Sequence, residues 1–151
     1  MPTSEYPLSG ACRCGRLTIE ITAPPIITSA CHCRGCQRMS ASAYSLTATM
    51  PAEAFRVAAG EPVRGGIKGP ELEHYFCPDC MTWMFTRIVG MTDFVNVRPT
   101  MFGDARWTRP FIETMTAEKL AWAETPAKHS YAGYPPVEDY GRLMAEFAAE
   151  R

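Results

Sequence analysis

Cys31-His32-Cys33-Arg34-Gly35-Cys36 is the stretch on which the reading of this 151-residue chain turns. Three cysteines in six residues are too crowded for packing, because a lone thiol already serves as a small hydrophobe. The C-x-C-x-x-C spacing lets the sulfurs converge on one metal ion through a tight turn, which Gly35 permits. The other four cysteines come as two further pairs, Cys12/Cys14 and Cys77/Cys80. The chain therefore reads as a β-scaffold built to hold two zinc sites, with the central triplet as the reactive one.

The bulk composition narrows the class. Hydrophobic residues make up 46% and charged residues 21%, as in a globular protein rather than a disordered one. The length suits one domain with a real core. The net charge of −1 argues against a broad electrostatic grip on nucleic acid or an anionic membrane. No run approaches the roughly 20 apolar residues of a membrane span. The polar start, Met1 to Gly10 with Pro2 and Pro7, lacks the apolar core of a signal peptide. The expected compartment is the cytoplasm, where thiols stay reduced and clustered cysteines favour metal over disulfides.

Along the chain, Leu17, Ile19 and Ile21 alternate with Thr18, Glu20 and Thr22, the pattern of a half-buried strand that Pro24-Pro25 ends. Ile26 to Ala30 delivers the chain to Cys31 as a short β run. Gln37 to Ser42 suits one helical turn. Tyr44, Leu46, Ala48 and Met50 mark another strand, and Pro51-Ala-Glu-Ala a helical turn opened by proline. Phe55 to Val57 reads as a short strand, and residues 64–70 as a loop or hairpin connection. Glu73 to Phe76 runs into Cys77-Pro-Asp-Cys80, and Trp83 to Phe85 leads out. Cys-Pro-x-Cys between two β segments has the shape of a zinc knuckle. Further strands are expected at Phe94–Val97 and Phe111–Met115, and a helical turn near Glu118 to Trp122. Residues 123–136 read as irregular. The tail from Val137 carries Val137, Tyr140, Met144 and Phe147 at helical spacing, an amphipathic helix of about four turns. The domain reading is 1–136 for the zinc-binding β domain and 137–151 for a helix packed on it or on a partner, which makes a homodimer conceivable.

Seven cysteines divide naturally into four and three. Four thiolates close a structural zinc site, whereas three leave a position for water or an incoming thiol. A thiol arriving there becomes a nucleophilic thiolate near neutral pH, which suits making and breaking carbon–sulfur bonds. Three thiolates also make bound water a poorer nucleophile than in a three-histidine site, which favours thiol chemistry over hydrolysis. Spacing alone does not say which cysteines share an ion. Cys33/Cys36 with Cys77/Cys80 would make an ordinary C-x-x-C…C-x-x-C site and leave Cys12, Cys14 and Cys31 as the odd set. A single four-cysteine site with three spare thiols is the plainer alternative.

The order Gly10-Ala-Cys-Arg-Cys-Gly15, then Cys31-His-Cys-Arg-Gly-Cys-Gln-Arg-Met-Ser40, then Phe76-Cys-Pro-Asp-Cys80 resembles the glutathione-dependent formaldehyde-activating enzyme family, also called the centromere protein V family. The resemblance runs from about Gly10 to Pro136. It implies a mainly β, Mss4-like β-tent in which zinc sites join small antiparallel sheets. It implies a structural zinc on Cys12, Cys14, Cys77 and Cys80 and a catalytic zinc on Cys31, Cys33 and Cys36, two ions per chain. The implied activity condenses glutathione with formaldehyde, formally a carbon–sulfur lyase (S-hydroxymethylglutathione synthase) run backwards. Two positions depart from the family pattern. Met81 stands where glycine usually follows the second C-x-x-C, and Ala41 stands where the family reads Ser-Gly-Ala.

Other residues carry weaker expectations. His32 should point away from the ligands and bond the scaffold. His74 should be a surface residue or a support for the knuckle, and His129 receives no role. Gln37 and Arg38 directly follow the triplet and are the first candidates for substrate contact. Arg34, Arg38 and Arg98 could bind the carboxylates of a peptide-like thiol such as glutathione, although solvated surface charge is the plainer reading of each. Trp83, Trp107 and Trp122 suit the core or a pocket wall. The alternative to an enzyme is a non-catalytic zinc-stabilised binding module, chaperone-like or a thiol carrier. A nucleic-acid module would need a basic face that the charge balance does not supply.

Overall fold

The computed structural model describes residues 5–103 and 106–150. Residues 1–4 of the polar N-terminal stretch, and Arg151 at the end of the expected terminal helix, lie outside the described residues. Strands β1 (Leu8–Ala11) and β2 (Thr18–Ile21) open the chain. β3 (Ile27–Cys31), helix α1 (Arg34–Ser40) and β4 (Ser45–Pro51) follow. Then come β5 (Phe55–Ala59), β6 (Val63–Gly65), β7 (Leu72–Phe76), β8 (Trp83–Ile88) and β9 (Met91–Val97). β10 (Ile112–Thr114), β11 (His129–Ser130) and helix α2 (Tyr140–Glu150) complete the order. The architecture is mainly β, as expected. Contacts divide it into two compact units, each assembled from two segments: Met1–Pro25 with Thr49–Ala105, and Ile26–Ala48 with Arg106–Arg151.

In the first unit β2 lies between β1 and β5, antiparallel to both. Ile19 and Ile21 are fully buried while Thr18 and Glu20 are half-buried, as the two-residue period of a strand requires. β1 has no counterpart in the sequence reading. Leu-Ser-Gly-Ala lacks β-branched residues, and pairing with β2 supplies the order that propensity does not. Gly60 follows β5 with φ +84°, and a Cβ there would meet the Arg16 carbonyl oxygen at 2.8 Å, so the turn needs glycine. β6 to β9 form an antiparallel meander whose interior holds Met84, Phe85, Val95 and Val97. Phe85 packs on Tyr75 and on Phe55, each with ring centroids 4.9 Å apart.

In the second unit β10 lies between β3 and β11 and runs parallel to both. The expectation of antiparallel sheets therefore holds for the first unit but not for these strands. A parallel pair needs a long connection, and the chain between β3 and β10 includes the whole second segment of the first unit. Residues 45–48 of β4 belong to this unit and its last three residues to the first, where Thr49 Oγ1 donates to Asn96 Oδ1 of β9 at 2.9 Å. The alternation expected in β4 is corrected. Ser45 and Thr47 are buried along with Ala48 and Met50, while Tyr44 and Leu46 are half-buried.

Helix α2 is anchored through Leu143 and Phe147, which share a core with Ile27, Phe111 and Ile112. His129 adds a contact to Glu146 at 3.0 Å, and Lys128 pairs with Glu146 at 2.7 Å and with Glu150. Val137 is not on the apolar face as expected. It sits in a 3₁₀ turn (Val137–Asp139) ahead of α2 and is 86% exposed, because the tighter winding rotates it off the stripe. Among the described residues no helix is long and apolar enough to cross a membrane.

Candidate metal centres

The two C-terminal thiols of the first unit come from the turn between β7 and β8, and the two N-terminal ones from the turn between β1 and β2. The first turn closes through Gly15 N donating to the Cys12 carbonyl at 3.0 Å. The second closes through Met81 N donating to the Cys77 carbonyl at 2.9 Å. The Sγ atoms of Cys12, Cys14, Cys77 and Cys80 all lie within 4.8 Å of one another. Cys12 and Cys14 approach to 3.5 Å, and Cys14 and Cys77 to 3.7 Å. A tetrahedron with metal–sulfur bonds of about 2.3 Å has edges of about 3.8 Å, so this set fits a zinc-sized ion.

Backbone amides point at these sulfurs. Leu17 N donates to Cys12 Sγ at 3.3 Å, while Asp79 N and Cys80 N donate to Cys77 Sγ at 3.4 and 3.5 Å. Burial opposes ionisation of Cys12, but the Leu17 amide and the Cys14 and Cys77 thiols outweigh it and lower the thiol. The Thr82 hydroxyl, 3.1 Å away, leads the groups that bring Cys80 down to about 5. Donors of this kind stabilise thiolates, the form that binds metal. Within this unit Cys77 and Cys80 converge with Cys12 and Cys14.

The second unit holds the other cluster. Cys31 ends β3, Cys33 caps α1 and Cys36 lies in its first turn. Their Sγ atoms also lie within 4.8 Å of one another, and all three residues are half-buried. Cys33 Sγ accepts from Cys36 N at 3.3 Å, so a sulfur does the capping that serine or aspartate does elsewhere. A hydrogen bond from Cys36, with others from the Cys33 amide and the Thr114 hydroxyl, brings Cys31 down to about 5 against the effect of burial. Cys36 is pushed up, first by that same bond, and Cys33 is raised first by burial. Three convergent thiols with one poised as a thiolate can hold a metal and leave it a further position.

The triplet is braced by hydrogen bonds to its neighbours. Gln37 Nε2 donates to the carbonyls of His32 at 2.7 Å and Glu118 at 3.0 Å, so both its amide hydrogens hold the scaffold. His32 is fully buried, with Nε2 3.5 Å from Glu113 Oε2 and its ring edge-on to Tyr44. Burial opposes ionisation of Glu113, but the Thr125 and Ser130 hydroxyls and His32 hold its carboxyl below the usual range. Arg38 is exposed and lines an open groove of about 850 Å³ together with Gln37, Tyr44, Leu120 and Trp122. Trp122 is 75% exposed there, while Trp107 is buried.

In the first unit one expectation is narrowed and one corrected. Of the two readings of His74, the surface one does not hold. The residue is buried, with Nδ1 2.9 Å from Thr86 Oγ1 and its ring edge-on to Trp83. Arg98 is buried rather than solvated, with its guanidinium 3.9 Å from the Trp83 ring centroid. Sequence reasoning also missed Glu113, Thr114 and Tyr134. Burial, and then the negative charge of Cys31, push the Tyr134 phenol above its usual range. The rigid run Gly133-Tyr134-Pro135-Pro136 was the one available signal.

Both departures from the family's glycines fall on left-handed backbone. Ala41 has φ 50° as the C-cap of α1, and Met81 has φ 58° just after Cys80. A side chain there costs about 1–2 kcal/mol, while a glycine loses about 0.4–1 kcal/mol through the unfolded chain. Ala41→Gly is therefore expected to stabilise the protein by about 0.5–1 kcal/mol, read as a higher midpoint in urea unfolding.

The described residues of this mainly β-protein thus carry one four-thiol and one three-thiol cluster, each able to hold a metal ion. The sequence profile of the glutathione-dependent formaldehyde-activating enzyme family matches residues 7–118, and the chain belongs to that family. Among solved structures, a Rhodobacter sphaeroides protein determined by structural genomics is similar at 19% identity, with a TM-score of 0.54. That match covers 65% of this chain and 90% of the other and speaks for the fold alone. No curated protein matches the sequence significantly.

Proposed function

We propose that this chain joins a glutathione-like thiol to an aldehyde, formaldehyde in the reaction for which the family is named, and in reverse cleaves the adduct as a cytoplasmic carbon–sulfur lyase. The observation that carries this reading is the three-thiol cluster, half-buried and separate from a four-thiol cluster that already meets a structural ion's needs. Zinc fits both donor sets, held by Cys12, Cys14, Cys77 and Cys80 in one and by Cys31, Cys33 and Cys36 in the other. Bound at the triplet, it supplies the Lewis acidity that turns an incoming thiol into a thiolate near neutral pH.

The chain's own residues have separate tasks. Gln37 fixes the turn of the triplet through the His32 and Glu118 carbonyls and is a scaffold residue before it is a substrate contact. Arg38 supplies a guanidinium to a substrate carboxylate, and Trp122 with Tyr44 gives the peptide-like body of the thiol an apolar wall.

Cobalt(II) replaces zinc and reports its sulfur count in the visible spectrum. Adding glutathione to cobalt-substituted protein is expected to move the triplet's bands toward four-sulfur coordination. Formaldehyde labelled with ¹³C should then appear as the S-hydroxymethyl adduct faster than without protein. A spectrum unmoved by glutathione and by other small thiols would reject this reading in favour of a non-catalytic module. A spectral change without faster adduct formation would make the protein a thiol carrier.

A further inference from the structure

The groove beside α1 has two walls of different origin. One is α1 with the turn that follows it, carrying Gln37, Arg38 and Tyr44. The other is the segment with Leu120, Trp122 and Glu124, which lies beyond residues 7–118, the part of the chain that the family profile matches. That second wall is fastened at both ends. The Glu118 carbonyl accepts from Gln37 Nε2 at 3.0 Å, and Glu118 Oε1 accepts from Arg34 N at 3.3 Å. Thr125 Oγ1 donates to Glu113 Oε2. Between these ties Ala123 is buried, its N donating to the Leu120 carbonyl at 3.0 Å in a turn. Held in this way, the segment leaves the Trp122 indole exposed.

Arg38 and Glu124 are the charged residues of the groove, one of each sign, and both are exposed. Neither side chain is taken up by an ion pair or hydrogen bond among the described residues, and the two do not pair with each other. Each therefore keeps its charge for a ligand. A guanidinium and a carboxylate flanking an aromatic wall suit a molecule that carries both a carboxylate and an ammonium. The indole adds its own attraction for an ammonium. A polyanionic molecule would meet repulsion at Glu124, and an uncharged one would leave both groups unused. At exposed positions each contact is weak, so the pair selects among ligands more than it tightens binding.

We propose that this groove is a recognition site for the amino-acid end of the thiol, with Glu124 taking a free ammonium, Arg38 a carboxylate and Trp122 packing on the chain between them. That the ligand is a thiol rests on the reading given under Proposed function. The groove narrows it to amino-acid and short-peptide thiols whose amino group is unblocked. Polyanionic thiols and simple alkyl thiols fall outside the class. Glu124 and Trp122 are then specificity-determining residues, placed in this chain's own segment and outside the part matched by the family profile.

S-methylglutathione tests this apart from the thiol chemistry, since its sulfur has no proton to lose. Added to the zinc-loaded protein, it is expected to change the tryptophan fluorescence saturably, and Trp122→Phe to abolish that change. Its N-acetyl derivative, which has no ammonium, is expected to bind about threefold to tenfold more weakly. Glu124→Gln should weaken S-methylglutathione by the same factor and leave the N-acetyl derivative as it was. Arg38→Gln should weaken both. All three variants alter exposed side chains, so their melting temperatures are expected to match the wild type. No saturable change with S-methylglutathione overturns the assignment, and so does a Glu124→Gln protein that separates the two ligands as well as the wild type does. The broader reading fails in a different experiment. Cobalt bands unmoved by free thiols, beside intact binding of S-methylglutathione, would reject the thiol chemistry and leave the groove's recognition of ammonium and carboxylate standing.

Discussion

Cys77→Ser is expected to strip one metal from the chain and to unfold the first unit. Cys77 is fully buried and sits at the centre of its cluster, with Cys14 Sγ at 3.7 Å and the amides of Asp79 and Cys80 aimed at its sulfur. The cluster joins the β1–β2 turn to the β7–β8 turn, two places that no backbone ladder connects directly. A serine hydroxyl does not ionise near neutral pH and leaves the two amides facing a poor acceptor. Structural zinc binding is worth about 10–16 kcal/mol in finger peptides, as much as the whole stability of a typical domain at about 5–15 kcal/mol. Loss of that site therefore removes more than the aromatic packing around Phe85 can replace. Metal analysis should show one ion per chain in place of two, and near-ultraviolet circular dichroism should lose the Trp83 and Tyr75 signals. A chelator strong enough to empty the four-thiol site should reproduce the same loss in the wild type. Cys77→Ser protein that keeps two ions and its melting transition would refute the four-plus-three division.

The cysteine clusters were legible because their signal is local. C-x-C and C-x-x-C spacings survive any tertiary arrangement, and the strand at Ile19 and Ile21 announces itself by alternation alone. What failed to show was set by distant partners. β1 is a strand because β2 lies beside it, not because Leu-Ser-Gly-Ala prefers to be extended. The parallel pairing of β10 with β3 brings Thr114 to Cys31 across most of the chain, and no periodicity encodes that register. His74 and Arg98 look like surface residues by type. Each is buried against a particular neighbour, the imidazole beside the Thr86 hydroxyl and the guanidinium over the Trp83 ring. Val137 matched the helical stripe in spacing, but the stripe began three residues later, where the 3₁₀ turn gives way to α2. The division of the seven thiols falls between these cases. Spacing allowed two groupings, and it is the fold that gathers Cys12 and Cys14 with Cys77 and Cys80, and Cys31 with Cys33 and Cys36.

Cys33→Ser should behave in the opposite way to Cys77→Ser, losing chemistry while keeping the fold. Cys33 caps α1 by accepting the Cys36 amide, and serine is among the best residues for that position, so α1 keeps its cap. The second unit's core of Ile27, Phe111, Ile112, Leu143 and Phe147 contains none of the three thiols. Its folding therefore does not wait on the triplet. What the substitution removes is one of three donors, and two thiols hold a metal far more weakly than three. Metal content should drop from two ions to one, with the far-ultraviolet spectrum and the melting temperature nearly unchanged. Turnover of glutathione with formaldehyde should fall by more than the about 10–100-fold that loss of a residue merely supporting a ligand costs. The pair of variants is informative because each has an outcome the other excludes. An unfolded Cys33→Ser protein would make the triplet structural and weaken the case for an open site. A folded one with two ions and full turnover would remove the triplet from the chemistry.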